Sequence, residues 1–314
     1  MNNYSEEPHP TNTNTISTAL LLAAGTGSRL YPFTKNMPKC LTEVNGISIL
    51  ERLVSSLTKK GFKRLVVVTG YMDNCIHEFL GSRNIGMDID YVFSPRYKTT
   101  NNIYSLWMAR ETIKEPFMLI ESDLVFDESL LDNMVYPDRI AVARMQPWMN
   151  GTTVTIDKLK QVEAFQNADT RTSDDAKYKT VNIYSFSQAS WNRIKDRLDQ
   201  YICAGKVHDY YEMVFADMVA DGSLNFDSVS FDENPWYEID TVEDLMKAEK
   251  LFSTQKRIAT EARNIRKHVS DKIRQSLLKS PNASMKSLID HKPKVKEIIK
   301  DISIKIPKLN LGNI

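Results

Sequence analysis

Thr18-Ala19-Leu20-Leu21-Leu22-Ala23-Ala24-Gly25-Thr26-Gly27-Ser28-Arg29-Leu30 is the stretch that decides the fold, and Met37-Pro38-Lys39-Cys40-Leu41 completes it. An apolar run without polar alternation is the pattern of a strand covered on both faces, and the glycines that follow end it in a turn. Leu22, Ala23, Ala24, Gly25, Thr26, Gly27 and Ser28 close the strand with mostly small residues, which lets backbone N–H groups approach an anion. Arg29 and Lys39 add fixed positive charge where a triphosphate would lie. The expectation is a phosphate site. It is not the dinucleotide loop G-x-G-x-x-G, because Leu30 stands at the third glycine, and no G-K-[ST] of a P-loop is present. A tight turn with surface cations accounts for the glycines but not for the paired Arg and Pro-Lys.

Outward from this stretch, Ile49, Leu50, Leu53, Val54 and Leu57 recur at helical spacing between Ser48 and Leu57, and Gly61 closes the helix. Leu65–Thr69 (LVVVT) and Phe117–Glu121 (FMLIE) read as further buried strands. Asn74–Leu80 and Asn102–Thr112 read as helices, with an extended piece at Ile89–Phe93. Apolar strands alternating with amphipathic helices predict a doubly wound α/β sheet with parallel strands. After Asp138 the texture changes. Arg139–Met145, Gly151–Ile156 and Thr180–Phe186 predict antiparallel strands, and Ala189–Ile202, Tyr210–Ala220 and Val242–Phe252 predict helices. The expected organisation is a disordered polar arm over 1–16, one catalytic domain over 17–252 and a basic helical extension or linker over 253–314.

The segment LLLAAGTGSRLYPFTKNMPKCL resembles the signature of the nucleoside-triphosphate transferases, the pyrophosphorylase superfamily. Thr100-Asn101-Asn102-Ile103-Tyr104-Ser105-Leu106, Glu121-Ser122-Asp123 and Trp236-Tyr237-Glu238-Ile239-Asp240 are similar to the bacterial branch of CTP:phosphocholine and 2-aminoethylphosphonate cytidylyltransferases. The resemblance covers about 17–252. It implies a Rossmann-like, GT-A-like mixed sheet, CTP as one substrate, a small phosphorylated or phosphonate acceptor as the other, and Mg²⁺ as cofactor. Some relatives are fused to aminotransferases, so a fragment or homologue of a fusion enzyme is compatible with it.

Asp123 lies just past a buried strand, where α/β sheets place ligands, and Asp240 directly precedes a helix. Two carboxylates from distant segments can hold Mg²⁺ against triphosphate oxygens. Each has a plain alternative, a turn residue for Asp123 and a helix N-cap for Asp240. The resemblance puts both on the metal, with Asp127 and Glu238 as weaker candidates. By the same resemblance Asn101, Asn102 and Tyr71 flank the nucleotide, although an Asn at this helix start also serves as a cap. Trp148, Tyr210, Tyr211, Trp236 and Tyr237 fall outside the apolar strand cores, and aromatic faces near a phosphate site suit a quaternary ammonium or amine. Tyr104, Trp148, Tyr210 and Trp236 are the expected acceptor residues, and Lys179 either holds the acceptor phosphate or is a solvated strand end. Cys40 is read as a packing residue.

The whole-chain numbers agree. With 314 residues, 42% hydrophobic and 26% charged, the chain is of ordinary globular composition. It contains no apolar run long enough to span a membrane, no secretory leader is legible, and three cysteines without metal or disulfide spacing suit the cytoplasm. The net charge of +1 conceals a division: residues 253–314 hold 15 basic and 5 acidic residues (net +10), against 26 and 35 (net −9) before them. Ile258, Ala262, Ile265, Val269, Ile273 and Leu277 mark a basic amphipathic helix of about 20 residues, with Pro281 after it and a short strand at 302–306. Its stripe lacks an aromatic anchor, so the expected partner is the acidic body or a second subunit of a homodimer, not a membrane. Nothing points to nucleic acid. A sugar-1-phosphate nucleotidyltransferase and a non-catalytic nucleotide-binding domain are the competing readings. An NAD-linked dehydrogenase is disfavoured by the missing glycine.

Overall fold

The computed structural model describes residues 15–83, 85–147, 149–166 and 177–253. The expected arm, apart from its last two residues, and the helix and strand expected after Ser253 lie outside the described residues.

In chain order the elements are β1 (Thr18–Ala23), the small hairpin β2 (Glu43–Val44) and β3 (Ile47–Ser48), α1 (Ile49–Lys59), β4 (Arg64–Thr69), α2 (Asp73–Gly81) and β5 (Asp88–Phe93). There follow α3 (Asn102–Met108), β6 (Phe117–Glu121), β7 (Leu124–Phe126), β8 (Arg139–Arg144), β9 (Thr153–Ile156), β10 (Val162–Gln166) and β11 (Tyr178–Phe186). The set ends with α4 (Gln188–Cys203), α5 (Tyr211–Ala220), β12 (Asp227–Ser230), β13 (Trp236–Glu238) and a helix over 242–253.

Nine strands form one mixed α/β sheet. Its main path runs β10-β9-β11-β6-β1-β4-β5, with β8 beside β11 and β12 beside β8. β5, β4, β1 and β6 are mutually parallel, and β11 returns antiparallel to β6 and β8. The parallel half is as expected. The sheet as a whole is not parallel, because β10 and β11 run against the other strands.

β1 shows why an unbroken apolar run is needed at the centre. Ala19, Leu21 and Ala23 enter the core under one face, with Leu50, Leu53 and Leu57 of α1. Leu20, Leu22 and Ala24 enter the core under the other, with Ile103 and Leu106 of α3, Trp191 of α4 and Phe215 of α5. Successive side chains point to opposite faces, so a strand covered on both needs apolar residues at every position. Each fully buried leucine contributes about 2 kcal/mol relative to exposure. α1 begins where expected because the Ser48 side chain accepts from Glu51 N–H across 3.1 Å. The helix expected over Asn102–Thr112 is shorter, since α3 gives way after Met108 to a 3₁₀ turn at Ala109–Glu111.

Two elements were not anticipated and carry the site. β7 and β13 pair antiparallel, with Trp236 opposite Phe126 and Glu238 opposite Leu124. β11 is interrupted by a bulge, and Asn182 within it adopts φ 58°. Asn tolerates that left-handed conformation better than most residues.

Candidate functional site

A cleft of about 300 Å³ opens at the carboxyl ends of β1 and β6, lined by the loop after β1, the start of α3 and the turn after β6. This is the edge where open α/β sheets bind ligands. Gly25, Gly27, Ser28, Arg29 and Lys39 line one side, Asn101, Asn102 and Tyr210 another, and Glu121, Asp123 and Asp240 the floor.

The loop is shaped by Gly27, whose φ of +61° suits a residue without Cβ. A Cβ there would stand 3.0 Å from both Lys39 Cβ and Thr34 Cγ2. Lys39 packs directly on the loop for that reason. Thr34 Oγ1 donates to the Gly27 carbonyl at 2.9 Å and holds the turn. Among the described residues the N–H groups of Thr26 and Gly27 donate to no protein acceptor, which leaves them for an anion.

Lys39 Nζ lies 2.8 Å from Asp123 Oδ2 and 2.7 Å from Asp240 Oδ1, and Arg29 Nη2 lies 2.8 Å from the same Asp240 oxygen. Burial pulls the Lys39 pKa down, but the two carboxylates outweigh burial and hold it above its ordinary value, so the ammonium stays charged. Asp240 is not the cap of the helix over 242–253. Thr241 is: its Oγ1 accepts from Asp244 N–H at 3.2 Å, while Asp244 Oδ2 accepts from Thr241 N–H at 2.9 Å. The Asp240 carboxylate therefore faces the cleft. Asp123 sits in the β6–β7 turn, and its carbonyl accepts from Ile239 N–H at 2.9 Å, which brings the two aspartates together. Asp123 Oδ1 is enclosed and accepts no hydrogen bond among the described residues. A hard divalent cation is the partner that oxygen lacks, and two carboxylates suffice when phosphate oxygens complete the coordination. The donor set fits.

Behind the floor lies a second acidic group. Glu121 at the end of β6, itself part of the floor, is close to Glu212 on α5 and Glu238 at the end of β13, and these last two flank the buried Lys179 of β11. Lys179 Nζ stands 3.2 Å from Glu238 Oε2 and donates to the Thr180 carbonyl at 2.7 Å. Burial, then the nearby charges of Asp123 and Glu212, push the Glu121 pKa up to about 8. Burial pushes Glu212 up to about 7 and raises Glu238, with Lys179 opposing the rise in both. Three carboxyl groups with one lysine leave this region rich in acid.

A family model for nucleotidyl transferases matches residues 18–255. The chain belongs to that family. The resemblance carried by the loop after β1 is thereby borne out. Among curated relatives, the CMP-5'-(3-aminopropyl)phosphonate synthase of Streptomyces rubellomurinus is 31% identical over 252 residues, covering 75% of this chain and 38% of its own length. The choline-phosphate cytidylyltransferase of Streptococcus pneumoniae is 25% identical over 240 residues, covering 76% of this chain and 99% of its own. The chain thus matches little more than a third of the first relative and nearly all of the second. Among solved structures, the CTP:phosphocholine cytidylyltransferase of Streptococcus pneumoniae superposes with a TM-score of 0.66 at 22% identity, over 76% of this chain and 99% of that one. The inositol-1-phosphate CTP transferase of T. maritima gives 0.63 at 20%, over 76% and 96%.

In this nucleotidyl transferase the cleft brings together Leu22, Ala24, Gly25, Gly27, Ser28, Arg29, Lys39, Asn101, Asn102, Asp123, Tyr210 and Asp240 of the expected residues. Both asparagine amides serve the scaffold as well. Asn101 Oδ1 accepts from Asn102 N–H at 2.8 Å; Asn102 Nδ2 donates to Glu121 Oε1 at 3.1 Å, and its Oδ1 accepts from Tyr211 N–H at 3.0 Å. Ala23 points into the core, and Tyr71 uses its hydroxyl on the Thr34 carbonyl at 3.0 Å. Tyr104 is buried against Trp107, and Trp236 packs on the core beside Phe126; neither lines the cleft. Lys179 is not a solvated strand end, being 4% exposed, but its ammonium serves Glu238. Tyr211 and Tyr237, read as lying outside the cores, are buried. Cys40 is buried too, which pushes its thiol up to about 12, as suits a packing residue. Trp148 lies outside the described residues.

Ser105, Glu121 and Ser122 line the cleft although the motifs that contain them gave them no role, and nothing in the sequence reading named Tyr97 in the cleft or Glu212 behind it. A glutamate ending the run FMLIE was the one available signal. Among the described residues no helix is long and apolar enough to cross a membrane.

Proposed function

We propose that this nucleotidyl transferase is a Mg²⁺-dependent cytidylyltransferase that joins CMP from CTP to a phosphorylated amino-alcohol or an aminoalkylphosphonate and releases pyrophosphate. The observation that carries the reading is the convergence of Arg29, Lys39, Asp123 and Asp240 beside a glycine loop whose Thr26 and Gly27 N–H groups donate to no acceptor among the described residues.

In the reaction an oxygen of the acceptor phosphate or phosphonate attacks the α-phosphorus of CTP. The bond from that phosphorus to the bridging oxygen breaks, and the electron pair leaves with pyrophosphate. The acceptor is already an anion near neutral pH, so no strong base is needed. The task is to align two anions and to stabilise the leaving charge. The loop N–H groups, Arg29 and Lys39 bind the triphosphate and hold it in line. Mg²⁺, held by Asp123 and Asp240, supplies charge neutralisation across the phosphates.

The acceptor class rests on Glu121 and Tyr210, both of which line the cleft, Tyr210 being 57% exposed. An aromatic face attracts a cation, and a cation seated beside Glu121 draws off its proton and pairs with the carboxylate left behind, whereas a neutral sugar gains nothing from either. The similarity to the phosphonate synthase and the choline-phosphate enzyme supports the same choice.

The test is pyrophosphate release with CTP, UTP, dTTP and ATP, each paired with phosphocholine, 2-aminoethylphosphonate and glucose-1-phosphate. Turnover confined to CTP with an amine-bearing acceptor is expected. Turnover with glucose-1-phosphate alone would replace this reading by a sugar-nucleotide one, and CTP binding without turnover would make the domain a nucleotide binder.

A further inference from the structure

The ammonium of Lys39 stands where a divalent cation shared by the two aspartates would stand. It lies within 2.8 Å of one oxygen of Asp123 and 2.7 Å of one oxygen of Asp240, and those carboxylates arise 84 and 201 residues away in the chain. Its side chain is 12% exposed, so the contact is not a loose surface pairing. The group is also balanced in charge: Arg29 and Lys39 match Asp123 and Asp240. A divalent cation added alone would meet two fixed positive charges within a few ångströms, and at such range like charges repel strongly when water is partly excluded. A triphosphate changes this. Its oxygens take up both the lysine and the arginine, and they offer the cation further ligands. The Lys39 stem is packed against Gly27, where even a Cβ would come within 3.0 Å. The movable part is therefore the end of the side chain, a short swing from carboxylate to phosphate.

We infer that Lys39 is a built-in competitor for the divalent cation. In the free protein it holds the two carboxylates, and it yields them only when nucleotide phosphates take it up, so cation and nucleotide bind as one coupled event. The inference rests on the reading of Asp123 and Asp240 as metal carboxylates. It adds an order to the site: cation alone binds weakly, and nucleotide recruits it. Such coupling is reciprocal, so the cation tightens nucleotide by the same factor.

The experiment measures Mn²⁺ binding to the full chain by calorimetry and by the electron paramagnetic resonance of free Mn²⁺. It is done with and without a CTP analogue carrying a methylene between the α- and β-phosphorus atoms. For the wild type, the analogue should tighten Mn²⁺ at least about tenfold. For Lys39→Met without analogue, Mn²⁺ should bind at least about tenfold tighter than to the wild type, and the effect of the analogue should shrink. Arg29→Met should raise affinity less, since Arg29 is 69% exposed and touches Asp240 alone. Adding Asp240→Asn to Lys39→Met should abolish the gain. The inference is overturned if folded Lys39→Met binds Mn²⁺ no tighter than the wild type. Should that variant not fold, equal Mn²⁺ affinity of the wild type with and without analogue overturns it as well. No Mn²⁺ binding to any form, even with analogue, would sink the metal reading along with it; Mn²⁺ binding indifferent to Lys39 sinks the competition alone.

Discussion

Lys179 and Glu238 form an ion pair of 3.2 Å between side chains only 5% and 24% exposed, one from the long strand β11 and one from the short strand β13. The bulge in β11 helps to make it, because Asn182 also reaches Glu238, donating to Oε1 at 3.4 Å. The pair ties the nine-stranded sheet to the piece of chain that carries Asp240.

Removing one partner should be worse than removing both. Lys179→Met leaves Glu238 near Asp123 and Asp240 without its cation and should cost about 3 kcal/mol in urea unfolding. Lys179→Met with Glu238→Gln should recover most of that loss. Losses that simply add would show that the pair is not coupled.

Stability should fall as the solution turns alkaline. Folded Glu212 and Glu121 keep their protons to about 7 and about 8, while an unfolded glutamate releases its proton near 4.5. Between those values the folded state binds more protons, so unfolding becomes easier as pH rises through the window. Glu212→Gln should flatten the fall by up to about 3 kcal/mol. Melting temperatures from pH 5 to pH 8.5 check this; an unchanged slope in the variant would refute the assignment to Glu212.

Gly70, just after β4, should tolerate no side chain. A Cβ there would stand 2.7 Å from the Ala24 carbonyl oxygen and 2.8 Å from Tyr97 Cγ. Tyr71 N–H donates to that same carbonyl at 3.0 Å, so the backbone cannot simply move away. Gly70→Ala should destabilise by about 2 kcal/mol and, by shifting Ala24 and Tyr97, raise the KM for nucleotide more than it lowers kcat. Melting and steady-state kinetics together test it.

Lys39→Ala and Asp240→Ala should each lower turnover by about a thousandfold or more, because preorganised charge is the main catalytic term in phosphoryl transfer. Arg29→Ala should do less, being the more exposed of the two cations. Pyrophosphate release at saturating substrates measures this. Rates near wild type in either of the first two would end the proposed mechanism.

Much of this was legible in local pattern. The β1 run, the apolar spacing of α1 and the small-residue loop with Arg29 and Lys39 are decided by neighbours a few residues apart, so periodicity and residue size suffice to read them. The aromatic residues were harder. Tyr211 and Tyr237 look amphipathic in sequence, and only their neighbours in the core show them buried. In Asp240-Thr241 either residue is chemically able to cap the next helix, and the position of Asp244 decides for Thr241.

The sequence by itself determined an α/β domain built on a buried strand that ends in a glycine loop beside Arg29 and Lys39, since an unbroken apolar run followed by glycines reads as a covered strand and its turn. Only the tertiary structure decided that β7 and β13 pair, that Lys39 lies between Asp123 and Asp240, and that Lys179 meets Glu238 with Glu212 and Glu121 close by. The reason is physical. Strands of three residues carry almost no periodicity, and charges far apart in the chain acquire partners, desolvation and shifted protonation only where folding brings them together.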